Sequence, residues 1–196
     1  MKFKFLFEVP EIYEEFIDLN YEEWDYYYKY YNVSKYNLHN CFVKYKDTFI
    51  NKKYKNFIII LLDDNNNLIG FVGTDNIADT NSNWMNELNS DNSDNSDNIN
   101  NSDNSDNSDN SDNSDTEYWI RDLFIKKDYR NKGYSGILCN KFFNICRMLN
   151  INTLLFTCDS EILKNIYLRN NCILIDKYNE NNLIHYIMRR NLLDSE

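Results

Sequence analysis

Histidine occurs only twice in this chain of 196 residues, at positions 39 and 185, and none of its five cysteines falls in a Cys-x-x-Cys pair. Zinc centres need clustered thiolates and imidazoles, so no metal site is expected. The cysteines stand singly at 41, 139, 146, 158 and 172. Their odd number argues against a disulfide framework and for a reducing compartment, read here as the cytoplasm. No apolar run approaches the roughly 20 residues of a membrane-spanning helix. Met1 to Val9 alternates Lys with Phe and then meets acids, so it lacks the unbroken apolar stretch of a signal peptide. Neither a membrane nor a secretory route is expected.

An excess of positive charge is also missing. The formal net charge is -10, but its distribution is uneven, because Asp79 to Asp115 holds ten acids and no Lys or Arg. Outside that segment 21 acids face 21 bases, so the remainder is formally neutral and offers no basic surface for nucleic acid. From Asn89 to Asp115 the segment consists of nine triplets, eight of them Asn-Ser-Asp. Such a tract buries no apolar surface and is expected to be disordered. Weak binding of calcium or of a basic partner is the alternative, and the lack of ligand spacing favours a solvated loop. Long loops close at a cost that grows only logarithmically with length. The chain is therefore expected to be a single domain, 1–196, with an acidic insert at 79–115.

What remains is rich in core-forming residues, with 42% hydrophobic and 16% aromatic content. Lys2 to Phe7 reads as a strand. Pro10 with Glu11, Glu14 and Glu15 opens a helix whose Ile12, Phe16 and Leu19 share a face, and an aromatic-rich helical stretch spans about Tyr21 to Tyr31. Phe57 to Leu62 and Leu68 to Thr74 flank the turn formers Asp63 to Asn67, which predicts a hairpin. After the insert come a strand at Glu117 to Ile125, a helix at Tyr134 to Leu149 and a strand at Thr153 to Thr157. Ser160 can cap a helix reaching Asn170, and Ile173 to Tyr178 with Leu183 to Met188 forms a second hairpin. The expected order is β-α-α-β-β-β-α-β-α-β-β.

The chemically informative segment is Asp122 to Ser135, where a strand ends, a charged loop follows and a helix begins near Gly133. Unpaired amides at a helix start converge on one point and carry partial positive charge, which suits a diphosphate. Arg130 and Lys132 add formal charge. Gly133 lets the main chain approach the phosphates, and a bulkier residue there is expected to clash.

Arg130-Asn131-Lys132-Gly133-Tyr134-Ser135 resembles the Arg/Gln-x-x-Gly-x-Gly/Ala signature of the GNAT superfamily, with Ser at the last position. Ile166-Tyr167-Leu168-Arg169-Asn170-Asn171-Cys172 is similar to that superfamily's Phe-Tyr-x-x-x-Gly-Phe. The resemblance implies an α+β fold. A mixed, mostly antiparallel sheet splays between its fourth and fifth strands, with helices on both faces. It implies acetyl-coenzyme A as cosubstrate, held by Leu123, Phe124, Ile125, Arg130, Asn131, Lys132, Gly133, Tyr134 and Ser135, and a primary amine as acceptor. Tyr167 would protonate the leaving thiolate, and Asp122 would orient the amine or take its proton through water. Many members carry Glu just before that Asp; here the position is Arg121, which cannot act as a base. An amino sugar suits such a site, being partly neutral at physiological pH.

Within the superfamily the spacing of Asn37 to Phe49, Cys158 and the terminal Tyr186-Ile187-Met188-Arg189-Arg190 most resembles glucosamine-6-phosphate N-acetyltransferases. This implies phosphate contacts from Arg189 and Arg190, and a homodimer. Ile120-Arg121-Asp122-Leu123-Phe124-Ile125 is also similar to the diamine acetyltransferase strand, which leaves polyamine or protein-amine acetylation open. A catalytically inactive coenzyme A-binding module is the third alternative. His39 and His185 have no nucleophile or metal partner nearby in sequence and read as structural.

Overall fold

The computed structural model describes residues 1–30, 32–50, 55–76, 117–180 and 183–193. Its seven strands form one sheet in the order β1-β2-β3-β4-β5-β7-β6. These are β1 Lys2–Phe5, β2 Phe57–Leu62, β3 Leu68–Asn76, β4 Tyr118–Ile125, β5 Thr153–Cys158, β6 Ile173–Glu180 and β7 Leu183–Asn191. Every neighbouring pair is antiparallel except β4 and β5, which run parallel. The helices are α1 Tyr13–Glu23, α2 Asp25–Tyr30, α3 Lys35–Ile50, α4 Tyr134–Met148 and α5 Glu161–Arg169.

All six residues of β2 and all nine of β3 are buried. Their unbroken apolar runs follow from cover on both faces, as in sheets flanked by two helical layers. Ile58, Ile60, Leu62 and Phe71 pack with Phe16 of α1 and Phe42 of α3. Phe57, Ile59 and Leu61 pack with Leu138 and Phe142 of α4 on the other side. A third cluster joins Phe156, Tyr186 and Met188 to Tyr167 of α5.

Three boundaries differ from expectation. β1 stops at Phe5 because the Phe5 N–H turns onto the Glu8 carboxylate at 2.8 Å, and a 3-10 turn takes Leu6–Glu8. A second such turn at Pro10–Ile12 precedes α1. β7 runs on to Asn191, so the basic pair lies inside a strand. The sequence reading also passed over α3. Its apolar face, Leu38, Phe42 and Tyr45, is buried, and the Asn37 N–H bonds to Ser34 Oγ at its start. Tyr, Asn and Val give that stretch a weak helix propensity, and tertiary burial overrides it.

The insert at 79–115, with the disorder expected of it, lies outside the described residues. The strands on either side of it pair with each other as far as Asn76 opposite Tyr118.

Candidate active site

β4 and β5 pair only at Tyr118–Leu154 and Trp119–Leu155. Beyond that rung the parallel strands separate. The cause lies in β4, where Gly73 and Phe71 of β3 face Arg121 and Phe124, so β4 carries an extra residue. Asp122 takes left-handed backbone, φ 57°, at this bulge. Consecutive strand residues normally point to opposite faces, but the bulge puts Arg121 and Asp122 on one face, Nε to Oδ2 at 2.7 Å. Opposite the far end of the bulge, β3 comes so close that a Cβ on Gly70 would stand 2.4 Å from the Phe124 carbonyl oxygen.

Arg121 anchors a buried polar cluster. Its Nη1 donates to Asp75 Oδ2 and to the Tyr45 hydroxyl, each at 2.8 Å, and its guanidinium lies 5.1 Å from the Phe42 ring centre. Burial pushes the Asp75 carboxyl above its usual range, with Arg121 opposing. Tyr45 is raised by the same cause. Both carboxylates beside the splay are thus committed to one guanidinium, and Asp122 is not a free base in this arrangement. Asp75 was missed because only the fold brings it to Arg121, 46 residues away.

The loop after β4 makes a 3-10 turn at Lys127–Tyr129, and α4 begins at Tyr134 as expected. Asn131 (φ 61°) and Gly133 (φ 80°) both adopt left-handed backbone. Among the described residues no side chain caps α4, whose opening bond runs from the Ile137 N–H to the Gly133 carbonyl at 3.3 Å. The first amides of α4 therefore lack intrahelical partners, and Tyr134 and Ser135 line a cleft of about 410 Å³. That cleft is lined by Leu123, Phe124, Ile125, Arg130, Asn131, Gly133, Tyr134 and Ser135, together with Glu23 and Tyr129. Lys132 is not in the lining and instead donates to the Asp128 carbonyl at 2.8 Å. Arg130 folds back, its Nε donating to the Ile125 carbonyl at 2.7 Å, and so braces the turn. A Cβ on Gly133 would meet no protein atom within 4 Å among the described residues, so the expected clash concerns a bound phosphate and not the chain. The constraint there is positive φ.

Tyr167 lies against Phe156, ring centres 4.7 Å apart and nearly perpendicular. Ile120 joins that cluster, so Tyr167 and the Arg121–Asp122 pair occupy opposite faces of the sheet. Burial lifts the Tyr167 phenol to about 12, which keeps it protonated at neutral pH. Among the described residues its hydroxyl has no hydrogen-bond partner.

Arg189 and Arg190 are separated rather than brought together. Arg190 sits over the Phe143 ring of α4 at 4.6 Å and donates to the Asn170 carbonyl at 2.5 Å. Arg189 faces the other way, on a rung that runs Asp75–Trp119–Leu155–Arg189 across four strands. Among the described residues the Trp119 indole Nε1, the Arg189 Nε and the Arg190 Nε are buried without a hydrogen-bond partner. His39 and His185 pack against Tyr13 and Tyr178.

Residues 10–168 match the model of the Acetyltransferase (GNAT) family. The chain belongs to the GNAT family. It is an acetyl-coenzyme A-dependent N-acetyltransferase. The open helix start, the paired left-handed residues and the cleft fit the cosubstrate, which supplies the activated acetyl group. The family fold is also shared with solved structures. An aminoglycoside 6'-N-acetyltransferase complexed with coenzyme A matches with a TM-score of 0.61 at 11% identity, covering 100% of this chain and 99% of that one. A spermidine N-acetyltransferase chimera from Vibrio cholerae and hSSAT matches at 0.59 and 14%, covering 98% and 97%. The PaiA N-acetyltransferase from Thermoplasma acidophilum in complex with coenzyme A matches at 0.58 and 15%, covering 97% and 99%. Compared with curated protein sequences, the chain has no match. Among the described residues there is no group of metal-ligating side chains, and no helix is long and apolar enough to cross a membrane.

Proposed function

We propose that this GNAT enzyme acetylates the primary amine of a small, phosphate-bearing molecule, with glucosamine 6-phosphate first among the candidates. The observation that carries this reading is that Trp119 Nε1 and Arg189 Nε, on the rung beside the splay, are buried donors without a partner among the described residues. Buried N–H groups without partners are costly, and an anionic group of the acceptor reaching this rung would offset that cost. Arg190 Nε is likewise buried without a partner among the described residues, but Arg190 lies on the opposite face, over Phe143, with its Nη1 on the Asn170 carbonyl.

In this reading Leu123, Phe124 and Ile125 offer main-chain groups along the cosubstrate. Asn131, Gly133, Tyr134 and Ser135 hold its diphosphate, with Arg130 bracing the turn and Lys132 adding charge at the rim. Tyr167 donates the proton that the departing thiolate needs. Asp122 acts through Arg121 by fixing the bulge. With both nearby carboxylates tied to Arg121, an acceptor that arrives with a neutral amine is favoured, and amino sugars meet that condition.

A polyamine acceptor is the second reading. It is favoured by the local charge, since Asp75 and Asp122 outnumber Arg121, and by the likeness to a spermidine N-acetyltransferase chimera. The five unpaired thiols support a reducing, cytoplasmic setting.

The test is thiol release from acetyl-coenzyme A with glucosamine 6-phosphate, spermidine and a lysine peptide in parallel. Turnover of the phosphosugar, with KM raised at least tenfold in Arg189→Ala but not in Arg190→Ala, supports the first reading. Turnover of spermidine alone transfers the assignment to the second. No turnover with any amine, despite cosubstrate binding, leaves an inactive binding module.

A further inference from the structure

The cleft at the start of α4 carries a charge that a site for anions does not call for. Of the residues that line it, Arg130 is the cation and Glu23 the anion, so the lining is formally neutral. Two further cations of the loop are committed elsewhere, Lys126 to the Glu15 carboxylate at 2.7 Å and Lys132 to the Asp128 carbonyl. Glu23 is also the last residue of α1, whose final turn holds no basic side chain to offset the negative end of the helix dipole. An acid at this position is therefore unfavourable both for the helix and for a bound diphosphate.

The fold nevertheless holds Glu23 at the cleft. Trp24, which ends α1, has its ring centre 6.4 Å from those of both Phe71 and Phe124, and this fixes the end of the helix over the sheet. The Arg130 guanidinium lies 5.6 Å from the centre of the same Phe124 ring. Its nitrogens have different partners. Nε donates to the Ile125 carbonyl at 2.7 Å, whereas Nη2 meets Glu23 Oε2 at 3.5 Å. The first contact is short and braces the turn. The second is long, and with side chains 41% and 40% exposed it is weak and open to exchange.

We propose that Glu23 sets cosubstrate affinity as an internal competitor: its carboxylate occupies Arg130 Nη2 in the free protein, and the arriving diphosphate takes that donor from it. Nε keeps its bond to Ile125, so the guanidinium changes partner without leaving the turn. Acetyl-coenzyme A and coenzyme A carry the same diphosphate, so Glu23 weakens both alike and thereby favours release of the product. This inference rests on the reading that Asn131 to Ser135 hold the diphosphate.

Calorimetric titration of the full chain with coenzyme A tests it without an acceptor. Glu23→Gln is expected to lower Kd about threefold and Glu23→Lys about tenfold. Damage to the fold would loosen binding, so tighter binding is a readout that a merely structural role does not produce. Glu22→Gln removes the same charge outside the cleft lining and should change Kd less than about twofold. In an Arg130→Met background the gain from Glu23→Gln should likewise fall below about twofold, because the contested donor is gone. Dephospho-coenzyme A, which lacks the ribose phosphate and keeps the diphosphate, should show the full gain. Unchanged or weaker binding in Glu23→Gln, while Gly133→Val still abolishes binding, overturns the role of Glu23 and leaves the diphosphate site standing. A Gly133→Val variant that binds as well as wild type removes the diphosphate site and this inference with it. A gain that survives Arg130→Met, is matched by Glu22→Gln, or is lost with dephospho-coenzyme A also overturns the competition.

Discussion

Arg121 and Asp122 are consecutive in β4, yet their side chains meet at 2.7 Å on the same face of the sheet. Left-handed backbone at Asp122 makes this possible, and the same distortion lifts β4 off β5 to open the sheet. One backbone irregularity thus shapes both the gap between β4 and β5 and the buried charge cluster beside it.

Removing Arg121 tests the cluster. Arg121→Met leaves Asp75 and Asp122 without their shared cation, and loss of a buried partner typically costs about 3–5 kcal/mol. Burial already holds the Asp75 carboxyl above its ordinary 3.8. A carboxyl raised on folding favours the fold most below its unfolded value and loses that contribution as pH rises through the folded one. Urea melts of Arg121→Met should therefore show stability falling more steeply than in the wild type as pH rises above the ordinary carboxyl value of 3.8. Equal slopes would mean that Asp75 does not depend on Arg121.

Acetyl-coenzyme A should raise the melting temperature, by an amount corresponding to about 2.7 kcal/mol at a hundredfold excess over Kd. Gly133→Val should abolish that shift. In the free protein the substitution meets no neighbouring atom, so its cost comes from φ 80° and is expected to be about 1–3 kcal/mol. A variant that binds as well as wild type would remove Gly133 from the diphosphate site.

Tyr167→Phe removes a hydroxyl with no partner among the described residues, so the fold should be nearly unaffected. If that hydroxyl protonates the leaving thiolate, kcat should drop about 10²–10⁴-fold while cosubstrate binding stays constant. With the phenol at about 12, activity in the wild type should show no alkaline loss from this group below pH 10. Unchanged kcat in the variant would assign Tyr167 to packing against Phe156 alone.

Excision of Asn89 to Asp115 should leave turnover and melting temperature close to those of the full chain. The strands on either side pair directly from Asn76 opposite Tyr118, and loop closure depends only weakly on length. A drop of several degrees would show that the repeats contribute to the fold.

The sequence by itself determined the order of strands and helices after Tyr118, the start of α4 and the turn that precedes it. Each rests on local chemistry, namely apolar periodicity, a helix start and a glycine at positive φ. Tertiary structure alone decided the rest. α3 is helical because Leu38, Phe42 and Tyr45 find a sheet to cover, although local propensity is weak. Asp75 reaches Arg121 only through the pairing of β3 with β4. The two terminal arginines serve different faces because β7 extends through both, and side chains along a strand alternate. Such long-range pairings leave no signature in spacing, since they depend on which strands become neighbours.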